Sequence, residues 1–280
     1  MINLYKTDLR RVFKDKLFFI VCILGIVFSA MLPLLYKLIL FAGGMETEEA
    51  AMIGMDLGSM FSAKSMFFES FLPGGNFGLI MPVLLAIILC KDFSFGTVRN
   101  KIIGGYSRTK IFLSLFFTAT TIICIVMLLH ALLTLGIALI FFDYQPTEFT
   151  TSDMIYLITS VAMEMLVYVC IAALVSFLCV SMKNVGLVIV LYIAITLIMT
   201  IVDSIAMVGI SIISIESPDS TLCNVLEIFR KLNIFSSTSI IGSGTEYSLS
   251  DALYCTLPPA GFTVLLIAFS IINFKKKDLK

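Results

Sequence analysis

Long apolar runs separated by short polar stretches dominate the chain. Six of them are long enough to cross a membrane as helices, since a bilayer core about 30 Å thick requires about 20 apolar residues. They are Leu17–Phe41, Phe71–Cys90, Ile111–Phe142, Met154–Ser181, Val185–Gly209 and Ala252–Phe274. The third and fourth runs are longer than a perpendicular span requires, so we expect those helices to tilt or to project from the bilayer. The pattern predicts an all-α integral membrane protein with six transmembrane helices.

Composition agrees with this pattern. Hydrophobic residues make up 59% of the 280 residues, and the mean hydropathy is +1.06, whereas soluble domains are about 45–50% apolar. Charged residues supply 14% of the chain, against about 25% in soluble domains. The stretches between the runs are too short to bury a core of their own. We therefore expect one membrane domain, residues 17–280, preceded by a short N-terminal segment, residues 1–16.

Basic residues concentrate on one side of the predicted spans. Most of the 19 lysines and arginines lie in residues 1–16, 91–110 and 275–280, with Lys183 between the fourth and fifth runs. The positive-inside rule makes this side cytoplasmic. Both termini are therefore predicted to be inside, which agrees with an even number of spans.

Residues 1–16 show apolar positions at helical spacing, with basic residues on the other face. The apolar positions are Ile2, Tyr5, Leu9, Val12 and Phe13. This pattern is typical of an amphipathic helix that lies at the membrane interface, with its cations near anionic lipid. A charged flank that only orients the first span is the alternative.

The chain lacks the motifs by which it would perform chemistry alone. None of its 17 glycines is followed by lysine, so there is no G-x-x-x-x-G-K-[ST] loop for nucleotide phosphates. The single histidine, His130, excludes paired-histidine metal sites, and no G-x-S-x-G nucleophile elbow occurs. We expect no catalytic residue, metal or cofactor in this chain.

The polar stretch between the second and third runs is short and basic. We call it the basic segment, Lys91–Lys110 (KDFSFGTVRNKIIGGYSRTK), and it contains five basic residues and one acid. Phe95, Val98 and Ile102 have the spacing of one face of a short helix. The segment therefore predicts a short helix between two spans.

The ends of this short helix are also marked. Gly104–Gly105 stops it, since glycine readily takes the left-handed cap conformation, and Ser107 is a good N-cap for the next span. Arg99 and Lys101 lie beside its apolar positions and can pair with carboxylates of a partner. We interpret the segment as a docking surface, and a basic loop that only sets topology is the alternative.

The residues of the basic segment resemble a known family. Asp92-Phe93-x-x-Gly96-Thr97, then Arg99, then Ser107-Arg108 before a span, is similar to permease subunits of type 2 ABC exporters. The layout resembles that family too, with an interfacial N-terminal helix, six spans, both ends inside and a large outer segment before the last span. Asp92 stands where the family often has Glu, Gly105 where many members have Pro, and Leu115 where many have Lys. These departures indicate a divergent branch.

The resemblance implies a role and a set of partners. In that family the segment is the coupling helix, which sits in a cleft of a cytoplasmic P-loop ATPase. Two ATPase subunits that bind ATP and Mg²⁺, a second permease subunit, identical or homologous, and a bacterial plasma membrane are implied in the same way. The coupling residues would be Asp92, Phe93, Phe95, Gly96, Thr97, Val98, Arg99, Lys101, Ser107 and Arg108.

The connection before the last span, Ile210–Asp251, is unusually long. Apolar residues at helical spacing (Leu222, Val225, Leu226, Phe229, Leu232) are followed by a predicted turn at Gly242-Ser243-Gly244. Pro258-Pro259 then interrupts the last span, where neighbouring protein must satisfy the lost backbone bonds. We expect short helices that dip back into the outer leaflet, as the resemblance also implies. A loose outer loop is the alternative.

Polar residues inside the predicted spans are candidates for a transport pathway. Glu164 stands out, because a carboxylate near mid-span costs about 2.5–3.5 kcal/mol on insertion scales unless it finds a partner or water. His130 and Asp203 lie on the neighbouring third and fifth spans. The three can line a cavity or form a proton or cation relay. A buried structural pair, or contact with a second subunit, is the alternative.

The seven cysteines show no metal spacing. Five of them lie in or at the ends of spans and are interpreted as small apolar side chains: Cys22, Cys90, Cys124, Cys170 and Cys179. Cys223 and Cys255 lie in or beside the outer segment. Whether these two form a disulfide stays open, since spacing alone does not establish a pairing.

Three functions are compatible with these features. The first is the permease subunit of an ATP-driven exporter that moves an amphipathic or hydrophobic substrate (peptide, drug or lipid-like) outward. The second is a secondary transporter or channel driven by an ion gradient, with Glu164, His130 and Asp203 as its coupling residues. A membrane-embedded enzyme or assembly scaffold is the third. Membrane lipid surrounds the spans in each case, and no nucleic-acid partner is expected.

Overall fold

The computed structural model describes residues 1–43, 62–145, 148–182, 184–216, 221–243 and 249–276. All secondary structure in these ranges is α-helical. The helices are α1 (Ile2–Phe13), α2 (Lys16–Gly43), α3 (Ala63–Glu69), α4 (Asn76–Ser94), α5 (Thr97–Ile103), α6 (Arg108–Phe141), α7 (Thr151–Met182), α8 (Val185–Glu216), α9 (Thr221–Leu232), α10 (Ile234–Ser243) and α11 (Leu249–Lys276). Lys183, Gly244 and residues 277–280, which carried part of the charge and turn predictions, lie outside the described residues.

Within these ranges, six helices are long and apolar enough to span a membrane: α2, α4, α6, α7, α8 and α11. This confirms the predicted multi-pass, all-α membrane protein with six spans. The third and fourth spans, α6 and α7, have 34 and 32 residues. The fifth, α8, continues past the predicted end at Gly209 and also reaches 32 residues.

The second span begins later and ends later than predicted. Phe71 lies in a turn rather than in the span, because Pro73 and the two glycines after it separate α3 from α4. The hydroxyl of Tyr168 on α7 donates to the carbonyl of Phe71 at 2.9 Å, which ties this turn to the centre of the bundle. At its other end α4 continues through Ser94, so its last turn belongs to the basic segment.

Three spans form the centre of the bundle and three lie at its edge. We compared the most apolar stretch of each spanning helix. The buried share of that stretch is 61% in α7, 56% in α4 and 44% in α6. The corresponding share is 22% for α2 and α11 and 17% for α8. The three peripheral spans therefore present apolar faces to lipid or to another chain.

The N-terminal helix α1 packs on the bundle with a face different from the predicted one. Leu4, Asp8 and Val12 are its buried residues, whereas Ile2 and Phe13 are exposed. Positions four residues apart lie on one side of a helix, so Asp8 is enclosed together with the two apolar residues. The reason is electrostatic, because Asp8 binds a lysine of the basic segment, as described below.

Between α8 and α11, the helix α9 runs antiparallel to the C-terminal half of α8. Leu226 of α9 lies against Gly209, and one turn further along Arg230 Nε donates to Asp203 Oδ1 at 2.7 Å. A β-carbon at Gly209 would approach the Leu226 side chain to 3.2 Å, so the glycine allows the close contact of the two helices.

The chain reverses at Asn233 and returns as α10. Asn233 Nδ2 donates to the carbonyl of Met199 at 3.1 Å, and its Oδ1 accepts from the Phe235 amide at 3.1 Å. The hydroxyl of Tyr156 donates to the carbonyl of Ile241 near the end of α10. The two helices thus form a hairpin held between α7, α8 and α11. Gly242-Ser243, predicted as a turn, belongs to the end of α10.

No disulfide joins any two of the described cysteines. Cys223 and Cys255 are both buried and no disulfide joins them, which resolves the pairing that the sequence left open. Cys90 of α4 and Cys179 of α7 lie with their Sγ atoms 3.2 Å apart in the core. That contact joins two of the three central helices next to the basic segment.

Candidate functional site

The basic segment folds as a short helix between two glycines with positive φ. Gly96 (φ +71°) directly precedes α5. After the helix, Gly105 (φ +85°) takes the left-handed conformation, whereas Gly104, the residue directly after the helix, does not. No atom would obstruct a β-carbon at either position, so glycine is favoured by the backbone conformation alone. Ser107 Oγ accepts from the Lys110 amide and caps α6, as predicted.

A buried carboxylate on α1 holds α5 in place. Lys101 Nζ lies 2.6 Å from Asp8 Oδ1, and the two side chains are 11% and 2% exposed. Ser114 Oγ of α6 donates to the other carboxylate oxygen at 2.7 Å. Asp8 therefore joins α1, α5 and α6 at one point, and both its oxygens have a donor, as a buried carboxylate requires.

Two further ion pairs join α1 and the turn after it to the end of α4. Arg11 binds the buried carboxylate of Asp92, and Lys91 Nζ lies 2.9 Å from Asp15 Oδ2. Asp15 also accepts from the Leu17 amide at 3.0 Å. That amide, with the Lys91 ammonium, holds the pKa of the Asp15 carboxyl below its usual range.

The apolar residues of the segment divide between two sides. Val98 is 2% exposed and packs in a cluster with Leu4, Phe112 and Phe274. The Phe93 ring meets the Phe274 ring edge-on at 6.1 Å. We expected Phe93 and Val98 to fill a partner's cleft, but their side chains face the bundle, because the last span supplies an apolar surface for them.

Arg108 also faces the bundle. Its Nη1 donates to the carbonyl of Phe274 at 3.3 Å and to that of Lys275 at 2.8 Å. Carbonyls in the last turn of a helix lack intrahelical donors and attract cations. Arg108 therefore joins the start of α6 to the end of α11.

The opposite side of α5 is open. We call it the exposed face of α5: Arg99, Asn100 and Ile103 of the helix, with Phe95 before it and Tyr106 after it, all exposed. Phe95 and Ile103 are 77% and 74% exposed, which is high for large apolar side chains. Gly96 and Thr97, at the start of the helix, are half-buried beside this face. Of the predicted docking residues, Phe95 and Arg99 belong to the exposed face.

Sequence reasoning missed Asn100, Ile103 and Tyr106 of the exposed face. A signal for Ile103 was present, since two adjacent isoleucines cannot both lie on one narrow face of a helix. The anchoring acids were also detectable, because Asp8 and Asp15 are exceptions in an otherwise basic arm.

The three polar residues predicted for a pathway occupy separate environments. His130 Nδ1 donates to the carbonyl of Gly25 at 3.0 Å. Asp203 pairs with Arg230. Glu164 is fully buried, and neither of its carboxylate oxygens has a hydrogen-bond partner among the described residues. No hydrogen bond or ion pair joins any two of the three within the described part of the chain.

An apolar cavity lies beside the hairpin. It has a volume of about 350 Å³ and is lined by α7, α8, α11 and the residues around the hairpin turn, among them Ile171, Leu174, Met199, Phe235 and Leu266. This volume is in the range of small-molecule sites. The cavity is nearly free of polar groups, so it suits an apolar ligand better than water.

Comparison with known proteins adds no family to this description. No family model matches the chain, and no curated protein matches it. The function has to be argued from the exposed face of α5, the buried contacts behind it and the interior of the bundle.

Proposed function

We propose that this chain is the membrane-spanning permease subunit of an ATP-driven exporter and that α5 is the helix on which a cytoplasmic ATPase docks. The division of α5 into two sides carries the proposal. One side is fixed to the bundle by Lys101 and Val98, and on the other side Phe95, Arg99 and Ile103 are exposed. A loop that only sets topology requires cations, but neither a fixed helix nor exposed apolar residues.

The exposed face has the chemistry of a docking surface. Phe95 and Ile103 are anchors that a partner's apolar pocket would bury, and Arg99 can bind a carboxylate through two parallel hydrogen bonds. Loss of water from Phe95 and Ile103 would supply the affinity, and Arg99 the orientation.

The buried contacts behind α5 are suited to transmitting a movement. Two residues connect α5 to the end of α4. Asp8 bonds α5 to α1 and α6, and Arg108, just after α5, bonds to the end of α11. A displacement of α5 by an ATPase would act on these helices together, because chains of packed and bonded groups carry coupling between sites. Hydrolysis then belongs to the partner, which binds the ATP and Mg²⁺.

The remaining parts of the proposal follow from the charge pattern and the resemblance. With the basic side cytoplasmic, both termini are inside, α1 lies at the inner interface, and the α9–α10 hairpin re-enters the membrane from the outside. Two ATPase subunits and a second permease subunit, which can cover the exposed apolar faces of the peripheral spans, complete the complex in a bacterial plasma membrane. The apolar cavity favours an amphipathic or hydrophobic cargo over a small ion.

One observation favours a second function. Glu164 is a buried carboxylate without a partner among the described residues, as expected for the coupling residue of an ion-gradient-driven transporter. His130 and Asp203 each have a bonding partner, so this alternative depends on Glu164 alone. It requires no ATPase, and the two functions therefore make opposite predictions about a partner.

The deciding experiment is purification of the tagged chain from its native cells in mild detergent. We expect a P-loop ATPase, identified by its sequence, to co-purify and to be released by Arg99→Glu and by Ile103→Asp. Arg10→Glu is the matched control, because Arg10 is an exposed arginine that belongs to α1 and not to the basic segment. An ATPase that stays bound to both variants, or no ATPase in several detergents, would contradict the proposal.

A further inference from the structure

Glu164 lies near the middle of α7 and is 0% exposed. Neither oxygen of its carboxylate has a hydrogen-bond partner among the described residues. An ionised carboxylate without a partner in an apolar interior is strongly unfavourable, so Glu164 must either hold a proton or pair with a cation that comes from outside the described residues.

The apolar cavity lies on the same side of α7, further along the helix. Ile171 lines the cavity and is seven residues from Glu164, which is about two helical turns, or about 10 Å, on one face. The same relation holds on α11, where Phe262 lines the cavity and Cys255, seven residues away, is within electrostatic range of Glu164. On both helices the cavity therefore begins about two turns from the level of the carboxylate.

Two tyrosines lie near this part of α7. Tyr168 is one turn from Glu164 on α7 and is completely buried, with its hydroxyl bonded to the Phe71 carbonyl. Tyr192 of α8 is also completely buried. Aromatic rings beside a carboxylate favour cations, and quaternary ammonium groups above all.

The polar atoms of α11 in this region are acceptors as well. Pro258 and Pro259 lie inside the helix and carry no amide hydrogen. The carbonyls of Tyr254 and Cys255 therefore lack the donor that a helix supplies from four residues further on. Together with Glu164, they create a negative potential in an otherwise apolar interior, which favours a cation and disfavours an anion.

We propose that Glu164, Tyr168 and the apolar cavity form one elongated binding site for a lipophilic cation, such as an alkyl amine or alkyl quaternary ammonium compound. The apolar chain would occupy the cavity between α7, α8 and α11. The cationic head would lie near Tyr168 and pair with Glu164. The suggestion that this cation is the cargo rests on the proposed exporter, whose substrate class it would narrow. The binding of the cation does not depend on that function.

The test is equilibrium binding of radiolabelled decyltrimethylammonium to the full-length chain in lipid nanodiscs, with empty nanodiscs subtracted. We expect saturable binding that Glu164→Gln weakens by about tenfold or more, because the substitution keeps the shape and removes the charge. Glu227→Gln is the matched control, since Glu227 is an exposed acid on α9. Leu174→Trp, which fills the cavity, should also weaken binding, whereas Leu139→Trp on the exposed side of α6 should not.

The proposal is wrong if wild-type protein shows no saturable binding, or if Glu164→Gln binds as tightly as wild-type. If Glu164→Gln does not fold, competition on the wild-type chain decides. Decyl sulfate has the same chain with the opposite charge, and we expect it not to compete. Equal competition by decyl sulfate would mean that the cavity binds alkyl chains regardless of charge, which contradicts a cation site.

This result is separable from the proposed function. The binding assay contains no ATPase, and the docking assay contains no cation. Loss of binding with an intact Arg99-dependent ATPase complex would remove the cation site and leave the exporter. Intact binding without any ATPase would remove the exporter and leave the cation site.

Discussion

Lys101 of α5 and Asp8 of α1 form an ion pair with 2.6 Å between Nζ and Oδ1, and both side chains are nearly excluded from solvent. The two residues are far apart in the chain and lie on either side of the first two spans. Arg11 lies 3.9 Å from the same carboxylate and itself binds Asp92. The N-terminal helix is therefore bonded to the basic segment through alternating charges, rather than serving only to orient the first span.

The first prediction concerns this pair. Asp8→Asn should lower the free energy of unfolding by about 3 kcal/mol, because a buried lysine is left without its counter-charge. The measurement is thermal unfolding in detergent, followed by co-purification of the ATPase. Asp8→Asn combined with Lys101→Met should regain part of the loss, since no charge is then left unpaired. Equal destabilisation by the single and the double variant would mean that the pair contributes through shape alone.

The second prediction contrasts the two sides of α5. Val98→Ala should lower the free energy of unfolding by about 1–2 kcal/mol, because it removes buried apolar area. Ile103→Asp should leave stability within about 0.5 kcal/mol, since Ile103 is exposed. ATPase co-purification should show the reverse order, with Ile103→Asp the more damaging change. If both substitutions reduce stability equally, the exposed face is not a free surface in the complete protein.

The outcome at α4 explains what local pattern can and cannot predict. The six apolar runs were sufficient for the number of spans, because length and hydropathy are local properties. The end of α4 was placed too early, since Lys91 and Asp92 are charged and read as the start of a loop. The helix continues because Asp15 and Arg11 neutralise them, and a contact across so many residues is invisible in the local sequence.

The same reason explains why the surroundings of the candidate site residues could not be predicted from the sequence. Phe93 and Val98 were expected to face a partner, but Phe274, which covers them, comes from the other end of the chain. Asp203 was grouped with Glu164, although Arg230 on the hairpin pairs with it. Glu164 itself was identified correctly as an unusual residue, because a carboxylate in an apolar run is recognisable without knowledge of its neighbours.

The third prediction concerns the Arg230–Asp203 pair. Asp203→Asn should lower the abundance and the thermal stability of the protein together, because it leaves a partly buried arginine at the α8–α9 contact without a counter-charge. The measurement is the amount of protein in the membrane and its unfolding temperature in detergent. The charge-swapped variant, Asp203→Arg with Arg230→Asp, should recover part of both. A loss of transport at normal abundance and stability would instead assign Asp203 to the pathway.

The last prediction uses the contact between Cys90 and Cys179. Their Sγ atoms lie 3.2 Å apart, so in a variant that keeps these two cysteines and replaces the other five, mild oxidation should join them with a disulfide. Because α4 carries α5 at its end, fixing α4 to α7 should stop transport if a movement of α5 must reach the spans, and a reductant should restore it. The same variant with Cys90→Ser controls for damage by the oxidant. A cross-linked protein that transports at the normal rate would show that α4 and α7 move as one body, and the movement would then have to pass through α6 and α11 instead.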